Sequence, residues 1–250
     1  LGNDFIVVQG QPPDGESCAQ WARQLCHRQR GIGGDGLVFL TPELEMVIYN
    51  SDGSLAQMCG NALRCLGAAA VQSGLLQIGQ EVEFKTASGP RALTVTSENP
   101  WMVEVDMGEP RLGAVVTYAY AGHDITLQLA SMGNPHAVAI SPTLPSELWE
   151  AAGKEMQTAP FAESDGINVE FVTPGDVLKT FVYERGAGPT LACGTGACAV
   201  LAVASAQGVC GPQGRVELPG GILEIDWRDK AHIKMRGPAR EVYRGTWTAL

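Results

Sequence analysis

Apolar and polar residues fall into short strand-like runs along most of this chain, at residues 5–8, 44–49, 82–85 and 102–107. These runs mostly follow the two-residue period of half-buried strands. Two segments have amphipathic helical spacing instead, residues 18–27 and, behind Pro145, residues 146–156. Two more, residues 61–72 and 195–207, are apolar nearly all round. Their cores read Leu63-Arg64-Cys65-Leu66-Gly67-Ala68-Ala69-Ala70-Val71 and Ala197-Cys198-Ala199-Val200-Leu201-Ala202-Val203-Ala204. A helix without a polar face has to be wrapped on every side. A strongly curved antiparallel sheet closed around it does this and hides its own edges. The pattern predicts an α+β protein of two β-barrel-like domains, each closed around a central helix.

The two apolar helices sit in a longer repeat. Tyr49-Asn50-Ser51-Asp52-Gly53, then Met58-Cys59-Gly60-Asn61-Ala62, matches Tyr183-Glu184-Arg185-Gly186, then Ala192-Cys193-Gly194-Thr195-Gly196. Gly2-Asn3-Asp4 recurs as Gly133-Asn134-Pro135, and Val82-Glu83-Phe84 as Val216-Glu217-Leu218. Second strands near residues 93–95 and 223–225, and closing strands at 103–108 and 233–237, complete the order. Ordered matches at a near-constant offset predict an internal duplication giving two pseudo-symmetric domains. The boundaries are placed at residues 1–110 and 111–237. The second Gly-Asn unit requires a preceding strand, residues 125–131. A surplus strand at 241–247, within residues 238–250, is expected to return as the last strand of the first domain.

Composition narrows the function. Apolar residues make up 45% and charged residues 18% of 250, and the formal charge is −10. Without any Lys/Arg cluster this argues against nucleic acid or a membrane surface as partner. No apolar run approaches a membrane span. The start, Leu1-Gly2-Asn3-Asp4-Phe5, resembles no secretory signal. It lacks an initiator Met, so a short preceding stretch is expected. Seven cysteines, an odd count without a C-x-x-C pair, favour a reducing, cytoplasmic setting. His27, His123, His136 and His232 lie far apart, and no metal site is expected.

Cys59 and Cys193 each stand immediately before an apolar helix, where backbone N–H groups and the helix dipole favour thiolate. The glycine after each lets a ligand approach the backbone. Gly60-Asn61 and Gly194-Thr195 can therefore bind a carboxylate and stabilise the enolate-like charge formed when an α-proton leaves. A duplicated thiol-and-helix unit suits removal of a proton from one face of a carbon and return of one to the other. Asn3, Asn50, Asn134 and Asn168 offer donors and acceptors together. Arg185 offers a planar fork for a carboxylate, Glu184 a charge partner or proton acceptor, and His136 a group able to tune a thiol. Cys18, Cys26, Cys65, Cys198 and Cys210 lie in helical or apolar runs and read as structural.

Gly2-Asn3-Asp4-Phe5, Gly31-Ile32-Gly33-Gly34-Asp35-Gly36, Asn50-Ser51-Asp52-Gly53-Ser54, Cys59-Gly60-Asn61 and Gly133-Asn134-Pro135-His136 resemble the motifs of diaminopimelate epimerase. So do Tyr183-Glu184-Arg185-Gly186-Ala187-Gly188 and Ala192-Cys193-Gly194-Thr195-Gly196-Ala197-Cys198. The resemblance covers essentially the whole chain in order. It implies a cofactor-independent epimerase that interconverts LL- and meso-2,6-diaminopimelate for lysine and peptidoglycan precursor synthesis. Carried over, Cys59 and Cys193 are the two acid/base residues. Gly60, Asn61, Gly194 and Thr195 hold the reacting carboxylate. Asn3, Asn50, Asn134, Asn168, Glu184 and Arg185 contact the substrate, and His136 and Glu184 modulate the thiols. The chain departs from the pattern at Gly36, where Gln occurs in some members, at Ala62, where Gly is frequent, and at Pro189, where Glu is common. A homodimer is left open. So are three other readings: a proline-racemase-like enzyme sharing the two-thiol logic, a non-catalytic two-lobed amino-acid-binding protein, and a redox protein. A pyridoxal-phosphate racemase would need a Schiff-base lysine, and Lys85, Lys154, Lys179, Lys230 and Lys234 all lie outside the glycine-rich turns.

Overall fold

A computed structural model describes residues 1–56 and 58–248. Its contacts divide the chain into two units, Asp4–Val105 with Gly237–Leu250, and Leu1–Asn3 with Asp106–Arg236. They are called the first and second domains here.

The first domain begins with β1 (Phe5–Gln9), α1 (Gly15–Leu25), β2 (Gly36–Leu40), β3 (Met46–Asn50) and β4 (Leu55–Ala56). It continues through α2 (Gly60–Gln72), β5 (Glu81–Phe84), β6 (Arg91–Glu98) and β7 (Trp101–Asp106). β1 pairs in parallel with β2, and β2, β3 and β4 pair antiparallel in turn. β5, β6 and β7 form an antiparallel meander. The two groups meet through a parallel bridge, Glu45 to Lys85, where Met46 N–H donates to the Lys85 carbonyl at 2.9 Å. Asp14 caps α1 by accepting from the Ser17 N–H at 3.0 Å, the usual device for an orphan helix donor. The apolar stripe of α1 (Cys18, Ala22, Leu25) packs on Leu37, Phe39 and Tyr49. α2 has no such stripe. Its residues from Gly60 to Ala70 are nearly all buried, against β1, β2 and β6 among others. Gly67 allows that approach, since a Cβ there would meet Leu93 Cδ2 at 2.9 Å.

The second domain holds β8 (Arg111–Tyr120), β9 (His123–Ser131), β10 (Pro135–Ile140), α3 (Trp149–Glu155), β11 (Asn168–Thr173) and β12 (Leu178–Glu184). It continues through β13 (Gly188–Pro189), α4 (Gly194–Ala206), β14 (Gln213–Leu218), β15 (Gly221–Asp226) and β16 (Lys234–Pro238), whose end crosses the domain boundary. β10 pairs in parallel with β11, and β11, β12 and β13 pair antiparallel. β12 joins β14 in parallel, and β14, β15 and β16 form a meander. This repeats the first domain's connectivity strand for strand, with the β8–β9 hairpin added ahead of β10. α4 touches β9, β10, β11, β12, β14 and β15, and every residue from Gly196 to Ala204 is buried. The architecture is α+β, two pseudo-symmetric, barrel-like domains each built around one apolar helix.

Three details differ from the sequence reading. Residues 241–248 form no strand; the last strand is β16, ending at Pro238. This segment is instead tied by side chains within the first domain. Trp247 packs edge-on to Trp21 with centroids 6.4 Å apart, and Arg244 reaches Gln72 at 3.1 Å. The rest of the expected strand segment, residues 249–250, lies outside the described residues. Leu1–Asn3 group with the second domain, so the boundary near the start falls after Asn3. The helix expected at 146–156 opens as a 3-10 turn, Ser146–Leu148, in which the Leu148 N–H donates to the Pro145 carbonyl three residues back at 3.0 Å.

Candidate active site

The two cysteines of the repeat occupy equivalent places, each the N-cap of the apolar helix of its domain. Cys59 precedes α2 with φ −144° and ψ 112°, and Cys193 precedes α4 with φ −123° and ψ 108°. Extended backbone at the cap followed by helix leaves the first N–H groups without intrahelical acceptors. At Cys193 one of these is used by the thiol itself: Gly196 N–H donates to Sγ at 3.3 Å. The Thr195 hydroxyl lies 3.5 Å from the same sulfur.

Behind Cys193 runs a chain of polar side chains. Asn134 Nδ2 donates to Thr195 Oγ1 at 3.3 Å, and Asn134 Oδ1 lies 3.1 Å from His136 Nε2. His136 Nδ1 lies 2.7 Å from Glu170 Oε1, and both side chains are fully buried. Glu170 was not singled out from the sequence. It lies inside the uniformly buried run of β11 (Asn168 to Val172), a placement set only by the fold, where an isolated carboxylate is costly.

The remaining polar residues of the second domain divide in two. Asn168 is buried and committed to the backbone: Nδ2 donates to the Pro135 carbonyl at 2.8 Å and Oδ1 accepts from Arg185 N–H at 3.0 Å. It pins β10 to the turn after β12. The Arg185 guanidinium faces Asp165 at 3.1 Å and Glu163 at 3.3 Å, two exposed carboxylates. Glu184 accepts from the Thr190 hydroxyl at 2.8 Å. Asn3 belongs to this domain as well. In the first domain, Asn61 is buried in the first turn of α2, and Asn50, exposed at the end of β3, donates to Ser54 Oγ at 3.0 Å.

Electrostatics at Cys193 run against the sequence argument. A helix N terminus lowers a thiol's pKa, and the Thr195 and Gly196 contacts act in that direction. Burial outweighs them, aided by the Glu184 and Glu170 carboxylates, and holds the thiol well above its ordinary value of 9.0. With 4% of its surface exposed, the thiol loses more hydration on ionising than two hydrogen bonds return. Burial likewise holds the Glu184 carboxyl above 4.5, against the Thr190 hydroxyl and with Glu170 adding to the rise. Among the described residues, no group of three His, Cys, Asp or Glu side chains is placed to hold a metal ion. None of their helices is long and apolar enough to cross a membrane.

A family model described as diaminopimelate epimerase matches residues 1–113 and 128–242. The chain belongs to the diaminopimelate epimerase family. It is 39% identical to the diaminopimelate epimerase of Desulforudis audaxviator over 272 residues, covering 99% of this chain and 96% of the relative. It is 38% identical to that of Acaryochloris marina, covering 99% and 95%. As a family member it is an isomerase of the epimerase type. Solved structures with the same fold include a hydroxyproline epimerase from Agrobacterium vitis, at TM-score 0.65 and 16% identity over 94% of this chain and 86% of that one. A phenazine biosynthesis protein of the PhzF family from Bacillus anthracis has TM-score 0.67 at 13% identity, over 95% and 90%. At such identities the likeness is one of fold alone.

Proposed function

We propose that this diaminopimelate epimerase family member interconverts LL-2,6-diaminopimelate and meso-2,6-diaminopimelate without a cofactor, with Cys59 and Cys193 as the two acid/base residues. One thiolate takes the α-proton, and the C–H electron pair moves onto the carbon and its carboxylate. The other thiol then delivers a proton to the opposite face. The C–H bond broken is replaced by a C–H bond formed, so there is no net oxidation. The observation that carries the reading is the repeated cap: both cysteines stand at the start of a buried apolar helix, and one accepts an N–H from that helix at 3.3 Å.

In this reading Gly60, Asn61, Gly194 and Thr195 hold the reacting carboxylate, with helix N–H groups opposing the charge that builds on it. Asn3, Asn50, Asn134, Glu184 and Arg185 contact the substrate. Asn168 serves by fixing the Arg185 backbone rather than by free amide groups. His136 and Glu184 set the state of the thiols. The cytoplasmic setting and the place in lysine and peptidoglycan precursor synthesis belong to the same proposal.

The test is conversion of LL- to meso-diaminopimelate by purified protein dialysed against chelator, without added metal or pyridoxal phosphate. Activity under these conditions supports the reading. A requirement for either additive, or efficient racemisation of proline in its place, overturns it.

A further inference from the structure

Glu170 is the one fully buried carboxylate in the Cys193 hydrogen-bond chain, and the proposed chemistry gives it no task. Its Oε1 faces His136 at 2.7 Å, and its Oε2 is buried with no hydrogen-bond partner among the described residues. An arrangement of this cost persists when something depends on it.

The duplication shows that the fold does not require it. Phe5 pairs with Gly36 across β1 and β2 as His136 pairs with Asn168 across β10 and β11. Counting along both strands, the first-domain counterparts of His136 and Glu170 are Phe5 and Val38. The same strand pairing is thus built with an apolar couple beside Cys59's helix and a polar couple beside Cys193's. Glu170 also touches that helix, since a Cβ on Gly196 would lie 2.7 Å from its Oε1.

The donor directions follow from the atoms. Asn134 Oδ1 can only accept, so the His136 Nε2 facing it carries a hydrogen. Asn134 Nδ2 donates to Thr195 Oγ1, so the hydroxyl hydrogen is free to be given to the Cys193 sulfur 3.5 Å away, the direction that favours the thiolate. The chain keeps this direction only while the imidazole stays turned with Nε2 toward Asn134. At the other end of the ring, Glu170 is the one hydrogen-bond partner of Nδ1 among the described residues.

We propose that Glu170 is a positioning residue for Cys193: it fixes the His136 ring so that Asn134 and Thr195 present a hydroxyl donor to the sulfur. It acts through His136, and this effect outweighs the direct push of its charge on the thiol. This rests on Cys193 being an acid/base residue, but its test reads the thiol directly and stays informative if the substrate proves different.

The test compares E170V, E170Q, H136F and H136F/E170V by peptide-mapped iodoacetamide alkylation of Cys193 and Cys59, alongside kcat and KM. A glutamine can still hold the ring, so E170Q is expected within about tenfold of wild type in both readouts. E170V is expected to slow Cys193 alkylation by about tenfold or more and to lower kcat by about a hundredfold. Cys59 alkylation should stay near wild type, and KM should change less than kcat. The double variant, which copies the Phe5 and Val38 couple of the first domain, should be no worse than H136F. That comparison decides the matter if E170V alone does not fold. Faster Cys193 alkylation in both Glu170 variants would mean that the carboxylate acts through space as a charge and would overturn the proposal. So would losses that multiply in the double variant.

Discussion

Gly196→Ala tests the packing around Cys193 with a single methyl group. The new Cβ would stand 2.7 Å from Glu170 Oε1, 3.2 Å from Cys193 Sγ and 3.3 Å from Cys193 Cβ, whereas heavy-atom contacts become favourable at about 3.5 Å. Glu170 cannot yield freely, because it is buried and holds His136 at 2.7 Å. Helix propensity pulls the other way, since Ala exceeds Gly by roughly 0.5–1 kcal/mol in a helix. Overpacking a filled core costs about 1–3 kcal/mol, so the net expectation is a loss of about 1–2 kcal/mol. The first-domain counterpart, Ala62, is fully buried. A62G should therefore also destabilise, by losing a buried methyl and helix propensity, roughly 1–2 kcal/mol. Urea unfolding of both variants measures the stabilities, and alkylation of Cys193 reads the thiol. G196A should alter Cys193 alkylation while A62G leaves it alone. If G196A is as stable as wild type with an unchanged thiol, the Glu170 carboxylate does not lie against the first turn of α4.

Other consequences are open to direct measurement. Cys59→Ala and Cys193→Ala should each lower kcat by roughly 10²–10⁴, the scale for losing a positioned acid or base. The double variant should be little worse than either single one; retention of a tenth of wild-type turnover would exclude that cysteine. Arg185→Lys keeps the charge and loses the planar fork, so KM for diaminopimelate should rise by about tenfold or more, while an unchanged KM would remove Arg185 from the binding set. Thr190→Val removes the hydroxyl that favours ionised Glu184, so that carboxyl should move further above 4.5 and the acid limb of the activity profile should shift upward with it. Asp106 holds His232 above its ordinary 6.5 through a 2.7 Å contact. Because the folded value is raised, the pair's contribution is complete below 6.5 and disappears as pH rises through the raised value. Being exposed, it is worth under about 1 kcal/mol; NMR titration should show D106N lowering the His232 midpoint, and no movement would mean the contact is absent in solution.

The duplication was legible because each half repeats chemistry as well as period. Cysteine, glycine and an apolar helix recur together, and α2 and α4 start at the residue after each cysteine. Period-two alternation located β5 and β7 but passed over β2, a continuous apolar run, and β11, where Asn168 and Glu170 alternate with Val169 and Phe171 yet both faces are buried. The tail failed for the opposite reason. Glu241-Val242-Tyr243-Arg244 carries strand-forming β-branched and aromatic residues, yet Val242 and Tyr243 are exposed, and the segment is held by Trp247 and Arg244 side chains. Local pattern does not reveal whether a neighbouring strand has an edge to offer. At the site, residue type pointed to Asn134, His136 and Thr195, which the fold joins into one chain. It did not reveal Glu170, thirty-four residues from His136, nor that burial would outweigh the helix terminus at Cys193. Both depend on what surrounds a side chain, which spacing along the sequence does not carry.

The proposed mechanism has two thiols, Cys59 and Cys193, exchange protons with one carbon from opposite sides. Its most direct test is incubation with LL-diaminopimelate in deuterated water, sampled at early conversion, with the α-deuterium of substrate and product measured separately by mass spectrometry. The acid thiol exchanges with solvent before it delivers, and the proton taken by the other thiol is returned only to the face it came from. Early meso product should therefore carry one deuterium at the inverted carbon while the remaining LL substrate is unlabelled. Product that retains the original hydrogen would mean a single base serving both faces and would contradict the two-cysteine mechanism.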